Sequence, residues 1–219
     1  MDQTFCHQAR KLGMRSFRVN AVSCNLCRWK HSASKHLDSA ARRSARDTKT
    51  NHHASHLIEE IQIIDDFFAS ETQDEILRRM ERPKWSFTGG RPPNMFWHMD
   101  GLETEPYFRQ HLFKLICDRL GRTFDVERIY ANGQTSMQYG APHHDDGDVT
   151  FLYYPNPIWE HTWAGSLLFV RKGEIAQVIP YRPNRALLFP AALLHYADAP
   201  SKSFPGLRVS LAYKLKLPR

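Results

Sequence analysis

The apolar positions of this chain change period near Gly121. Before it they recur at helical spacing, and after it they come in short runs broken by glycine and proline. Ile61-Gln62-Ile63-Ile64 reads as a strand. Ser70 followed by Gln73 has the form of a capping box and predicts a helix over about 71–82. Residues 85–100 hold two glycines and two prolines and read as a loop. From 105 to 120, Phe108, Leu112, Leu115, Ile116 and Leu120 fall on one helical face, which predicts a second helix packed on the core.

Beyond Gly121 the pattern predicts strands over 128–137, 149–154, 166–171, 176–179, 185–189 and 207–215. Gly140, Pro155, Pro157, Gly173, Pro180 and Pro183 punctuate them. Regularly spaced short strands with such turns indicate a sandwich or barrel. Helices first and strands afterwards give a mainly β, α+β domain: a jelly roll with N-terminal helices against it.

Composition divides the chain in two. Residues 1–56 carry 11 Lys/Arg and 3 Asp/Glu, a net +8, whereas residues 57–219 carry 19 and 20, a net −1. The basic pI therefore belongs to the first segment, and the 57–219 domain gives no charge-based reason to expect nucleic acid. Segment 1–56 has no sustained apolar period and reads as a disordered tail. Its Arg- and Ser-rich, acid-poor composition also suits a mitochondrial leader, and a start further downstream is a third reading. Cys24-x-x-Cys27 near His31 and His36 has zinc-like spacing, but it lacks a second pair. Of the other two cysteines, Cys6 lies in the same segment and Cys117 falls in the second helix, so the four form no disulfide framework and a reducing, cytoplasmic location is expected. No apolar run approaches the roughly 18 residues of a membrane span.

The candidate chemistry lies toward the C-terminus. On a strand, residues i and i+2 share a face. His143 with Asp145, or His144 with Asp146, could thus present two ligands together. His195 follows the apolar run 185–194 and can complete a set of two imidazoles and one carboxylate. Such a set binds iron(II) on one face and leaves the other positions open, with zinc as the rival metal. Thirteen residues on, Arg208 alternates with large apolar residues in Leu207-Arg208-Val209-Ser210-Leu211-Ala212-Tyr213. It shares its face with the small Ser210 and Ala212, which leaves room for a ligand. A buried guanidinium needs an anion, and its planar fork matches a carboxylate.

These residues, in this order, resemble the iron(II)- and 2-oxoglutarate-dependent oxygenases, in particular the prolyl 4-hydroxylase-like branch. Pro142-His143-His144-Asp145 followed by Thr150-Phe151-Leu152-Tyr153-Tyr154 carries the likeness, with His195 and Arg208 behind it. The resemblance covers about 57–219 and implies a double-stranded β-helix. It implies that His143, Asp145 and His195 hold iron(II), and that Arg208 binds 2-oxoglutarate with help from Tyr130 or Tyr153. It implies dioxygen as oxidant, with ascorbate as an accessory reductant, and hydroxylation of a protein side chain, prolyl-like, or of a small molecule. Trp163-Ala164-Gly165-Ser166 departs from the family's Trp-Gly-Gly-Glu, and prolyl hydroxylases tend to have Lys where this chain has Arg208. Two alternatives stand beside this reading. One is a cupin-like metal-binding barrel, which would not need Arg208. The other is a nucleic-acid dealkylase of the same superfamily, which would carry a second Arg where this chain has Lys214. His98 and His161 are expected to be surface or loop residues.

Overall fold

The computed structural model describes residues 60–218. Segment 1–56, with the Cys24-x-x-Cys27 pair and the expected tail or leader, lies outside the described residues. The elements are β1 (Gln62–Ile64), α1 (Ser70–Met80), β2 (Ser86–Arg91), β3 (Asn94–Met99), α2 (Phe113–Leu120), β4 (Asp125–Gln134), β5 (Val149–Tyr153), β6 (Leu167–Arg171), β7 (Glu174–Ile179), β8 (Ala186–Pro190), β9 (His195–Ala197) and β10 (Arg208–Lys216). One sheet has seven strands in the order β1-β8-β5-β10-β4-β3-β2, and the other has three, β7-β6-β9. All the pairings are antiparallel.

The large sheet is buried on both faces along its central strands, β8, β5, β10 and β4. On its outer face Ile129, Phe151, Tyr153, Leu188, Leu211 and Tyr213 pack with Ile76, Phe108, Leu112 and Ile116 from the helices. On its inner face Tyr130, Leu152, Tyr154, Leu187 and Ala212 meet Leu167, Phe169 and Ile179 of the small sheet. Strand β10 therefore alternates between two cores and reads as buried almost throughout. No helix of the described residues is long and apolar enough to cross a membrane.

The two helices follow the apolar stripe, with differences at their starts. The helix from Ser70 has Ala69 as its N-cap, and no side chain caps it. The expected capping box does not form, because the helix begins at Ser70 itself. The Gln73 side chain instead reaches the Pro155 carbonyl at 3.5 Å. The second helix opens with a π-helical stretch, Tyr107–Leu112, before α2. Gly121 closes it in the left-handed region, φ 62°, where the Cys117 carbonyl accepts from the Arg122 amide at 3.2 Å.

Residues 85–100 are not a loop. They form the β2–β3 hairpin at the edge of the large sheet. The glycines that read as punctuation serve close packing instead. A Cβ on Gly89 would lie 2.4 Å from the Phe96 ring, so the backbone must be bare for Phe96 to lie against it. Strand β9 was also not expected; three residues are too few for a visible period.

Asn184 clips the outer core to the β7–β8 connection. It sits at φ 57°. Its Oδ1 accepts from the Phe68 amide and the Tyr153 hydroxyl, both at 3.0 Å, and its Nδ2 donates to the Phe68 carbonyl at 2.8 Å. Asn184→Ala loses all three bonds and puts a Cβ residue without local hydrogen bonding in the left-handed region. It should cost about 2–4 kcal/mol of stability. Asn184→Gly should recover about 1 kcal/mol of that. Urea unfolding measures both, and an Ala variant within ~0.5 kcal/mol of the parent would show the clip to be dispensable.

Candidate metal centre

Backbone pairing brings the two outer ligands together. His143 and His195 exchange amide-to-carbonyl bonds of 3.0 Å in each direction, an isolated antiparallel pair. The Asp145 amide donates to the Ala191 carbonyl at 2.9 Å, a second tie, outside the register of that pair, to the turn that precedes His195. His143, Asp145 and His195 thus point to one side, with ligand atoms within 4.8 Å of one another. His143 Nε2 lies 3.4 Å from Asp145 Oδ1, and His195 Nε2 lies 3.4 Å from Asp145 Oδ2. Donors about 2 Å from a common ion sit at such separations.

Both rings are held in the tautomer a metal needs. His143 Nδ1 is 2.9 Å from the Ala141 carbonyl, and His195 Nδ1 is 2.8 Å from the Leu193 carbonyl. A carbonyl can only accept, so each Nδ1 carries a hydrogen and each Nε2 faces Asp145, donating to the carboxylate when protonated and leaving its lone pair for a metal when not. His195 is buried between Phe169 and Phe189, which fixes its ring plane. The shifted pair goes elsewhere: His144 Nδ1 faces the Ala192 carbonyl at 2.9 Å, and Asp146 lies 3.5 Å from Arg128.

Asp145 is charged. Burial pushes its carboxyl up, but hydrogen bonds from His143 and His195 and the Lys214 ammonium together hold it well below the usual carboxylate range. The His143 imidazole is raised by its bond to Asp145, partly offset by burial. Lys214 is 2% exposed and contacts Asp145 Oδ2 directly. It also donates to Thr150 Oγ1 at 3.2 Å, and Thr150 donates to the same Oδ2 at 2.6 Å.

A polar floor runs from the metal ligands into the interior. The inner face of β10 carries Lys214, Ala212, Ser210 and Arg208. These stand opposite Arg128, Tyr130, Asn132 and Gln134 of β4. Arg208 is 1% exposed. Its Nε donates to the Gly165 carbonyl at 2.8 Å and its Nη1 to Gln134 Oε1 at 2.9 Å, both neutral acceptors. The guanidinium lies over Tyr181 and Tyr154, 5.0 and 5.3 Å from their ring centres. Arg208 Nη2 and the Tyr154 hydroxyl are buried without a hydrogen-bond partner among the described residues. Burial raises Tyr154, and the Arg208 charge partly offsets this.

The two candidate tyrosines do not meet Arg208. Tyr153 faces the outer core, and its hydroxyl is spent on Asn184. The reason is alternation: Tyr154, one residue on, belongs to the inner core. Tyr130 faces inward but stands opposite Ala212, beside Lys214. Gln134, four residues along β4, occupies the place opposite Arg208. Gly165 also had no assigned part. A Cβ there would come within 3.1 Å of Arg208 Nε, so the bare backbone at φ 75° is what lets its carbonyl reach the guanidinium.

A cavity of about 640 Å³ opens over the ligands, walled by the β2–β3 hairpin and the inner face of β4. His98 lines it, contrary to its expected place in a surface loop, with Nδ1 at 2.8 Å from Asn132 Oδ1. Had 85–100 been read as strands, the alternation of Phe96 and His98 would have placed both on the cavity wall.

Neither a scan against protein-family models nor a search of curated proteins finds a match to this sequence. Solved structures do match. An oxidoreductase of the 2OG-Fe(II) oxygenase family from Burkholderia pseudomallei is similar at TM-score 0.56 and 12% identity, over 73% of this chain and 88% of that one. A prolyl hydroxylase from Trichoplax adhaerens, solved with a peptide fragment of hypoxia inducible factor, is similar at TM-score 0.54 and 20% identity, over 74% and 88%. HygX from Streptomyces hygroscopicus, solved with nickel, 2-oxoglutarate and hygromycin B, is similar at TM-score 0.54 and 14% identity, over 70% and 82%. The described domain has the jelly-roll fold of the 2OG-Fe(II) oxygenases, prolyl hydroxylases among them.

Proposed function

We propose that this chain is an iron(II)- and 2-oxoglutarate-dependent dioxygenase that hydroxylates a protein side chain, prolyl-like, or a small molecule. The observation that carries the reading is the buried Arg208 Nη2 beside the unpartnered Tyr154 hydroxyl, on the inner face that also carries Lys214 against the metal ligand Asp145. A cupin-like barrel that only binds metal has no use for an interior cation with neutral partners. A dicarboxylate supplies the missing anion.

His143, Asp145 and His195 would hold iron(II), a donor set suited to that ion. Bound iron and 2-oxoglutarate would supply oxidation of the substrate by dioxygen, releasing succinate and carbon dioxide. Arg208 Nη2 and the Tyr154 hydroxyl bind the far carboxylate of 2-oxoglutarate. Gln134 and the Gly165 carbonyl fix the plane of the guanidinium, and the Tyr181 ring beneath it excludes water. Tyr181 is itself pinned between Asn156 Oδ1 at 2.6 Å and the Val209 carbonyl at 2.8 Å.

The substrate enters from the hairpin side. Thr88, Gly89, Gly90, Phe96, His98 and Asn132 form a wall that is polar and apolar by turns. A peptide side chain fits that mixture. The neighbours of this fold were solved with a peptide in one case and hygromycin B in another. A nucleic-acid substrate is not favoured, because Arg128 is met by Asp146 and Lys214 by Asp145. The deciding experiment is succinate release from 2-oxoglutarate by purified protein with iron(II), screened over proline-containing peptides and small-molecule pools. No succinate above the metal-free control in any pool would refute the reading.

Two sets of variants divide the site. His143→Ala and His195→Ala should each weaken iron(II) or cobalt(II) binding on the order of 100-fold or more, while His144→Ala stays near the parent. Metal titration checks this, and equal losses at His144 would mean the pairing of ligands is misassigned.

Arg208→Ala should raise the 2-oxoglutarate dissociation constant by roughly two to three orders of magnitude, as for a broken buried ion pair of about 3–5 kcal/mol. Arg208→Lys should do less harm, since one ammonium loses the fork geometry. Tyr154→Phe should cost roughly tenfold, the worth of one hydrogen bond to a charged group. Anaerobic calorimetry on metal-loaded protein reads all three. Parent-like binding by both Arg208 variants would make Arg208 a structural residue.

A further inference from the structure

Lys214 has no place in the co-substrate pocket, yet it is the most deeply placed ammonium beside the metal ligands. It lies six residues from Arg208 on the same inner face of β10, so the two cations enter the interior about 20 Å apart along one strand. Its charge is answered by a single anion, Asp145, whose side chain is 3% exposed. That anion is itself a candidate ligand. Of the two carboxylate oxygens, Oδ2 receives both Lys214 and the Thr150 hydroxyl. Oδ1, the oxygen facing His143 Nε2, has neither donor. The Tyr130 ring closes over the ammonium at 5.3 Å, so Lys214 cannot swing out to water and leave Asp145 free.

We infer that Lys214 is a positioning residue: it locks Asp145 as a one-oxygen metal ligand and so keeps positions on the ion free. A carboxylate with both oxygens available can chelate and occupy two positions. With Oδ2 tied to an ammonium and a hydroxyl, only one oxygen can turn to the metal. The fixed positive charge also opposes a divalent ion nearby, so the site gives up affinity to stay open. The inference rests on the metal site proposed above, and on Lys214 itself for the rest.

Cobalt(II) titration of the full chain, followed by its visible absorption, tests it, because band position and intensity report coordination number and no turnover is needed. Lys214→Met keeps the length of the side chain but removes both charge and donor. It should bind cobalt(II) at least about tenfold more tightly than the parent, with a changed visible band as Asp145 becomes two-oxygen. Lys214→Arg should keep the parent band. Lys214→Gln keeps a donor for Oδ2 without the charge. It should tighten binding while leaving the band as in the parent, and it serves as the second variant if Lys214→Met does not fold by circular dichroism. Parent-like affinity and band in Lys214→Met, or parent-like affinity in Lys214→Gln, overturns the inference and leaves the metal site standing. Weaker cobalt binding in either variant overturns it too. A parent that binds no cobalt(II) removes the metal site and this inference with it.

Discussion

Strand β10 has no solvent face, and the rest of the site follows from that. Its odd-numbered residues Val209, Leu211, Tyr213 and Leu215 pack toward the helices, so its even-numbered residues must enter the space between the sheets. Two of those, Arg208 and Lys214, are cations at 1% and 2% exposure. Removing a charge from water costs several kcal/mol unless an anion or a full set of hydrogen bonds compensates. Everything placed near them answers that cost: Asp145 and Thr150 around Lys214, Gln134 and the Gly165 carbonyl around Arg208. The helices matter to the chemistry only through this. By covering the outer face they hold the register that turns the cations inward.

The same alternation explains what was legible in the sequence. The His-x-Asp pair, His195 and Arg208 could be picked out because their spacing depends on period-two geometry and on order along the chain. Tyr153, which the resemblance names beside Tyr130, faces the outer core on the same geometry, and its neighbour Tyr154 faces inward. Both tyrosines are buried and adjacent, and a strand apolar on both faces carries no polar alternation to tell which side is which. Tyr130 stands opposite Ala212, four residues from the place that meets Arg208. From Arg128 to Gln134 the even residues of β4 face inward, so the face is right, but only the cross-strand register sets Gln134 rather than Tyr130 against Arg208. Register depends on contacts between segments about eighty residues apart, and a single strand read alone does not contain it. The hairpin at 86–99 was hidden because its glycines looked like breaks, when their function is to let Phe96 lie on bare backbone.

Departures from the pattern that the sequence resembles are local. Ala164 stands in the place of the first Gly of the Trp-Gly-Gly-Glu that this stretch resembles, and it takes φ 55° all the same. The second glycine is retained as Gly165, at the position where a Cβ would strike both Arg208 and the Trp159 ring. The strained alanine is tolerated at the edge of the turn, while the residue that touches the guanidinium is still glycine. What the turn must preserve is the approach of one carbonyl to Arg208 Nε, and that is kept.

The two interior cations differ in one respect that bears on function. Lys214 is neutralised from within: its anion is part of the chain, and the hydroxyl of Thr150 completes the arrangement. Arg208 is only solvated from within. Its hydrogen-bond partners are a carbonyl and an amide oxygen, both uncharged, and one nitrogen of its fork has no partner among the described residues. A fold that merely needed a long side chain at position 208 could have used an apolar one at lower cost. A fold that needed the charge for its own stability would have supplied a carboxylate, as it does for Lys214 a few residues away. On the function proposed above, the unanswered cation is half of an ion pair whose other half arrives as ligand, and the answered one is a fixed part of the metal site that ligand would approach.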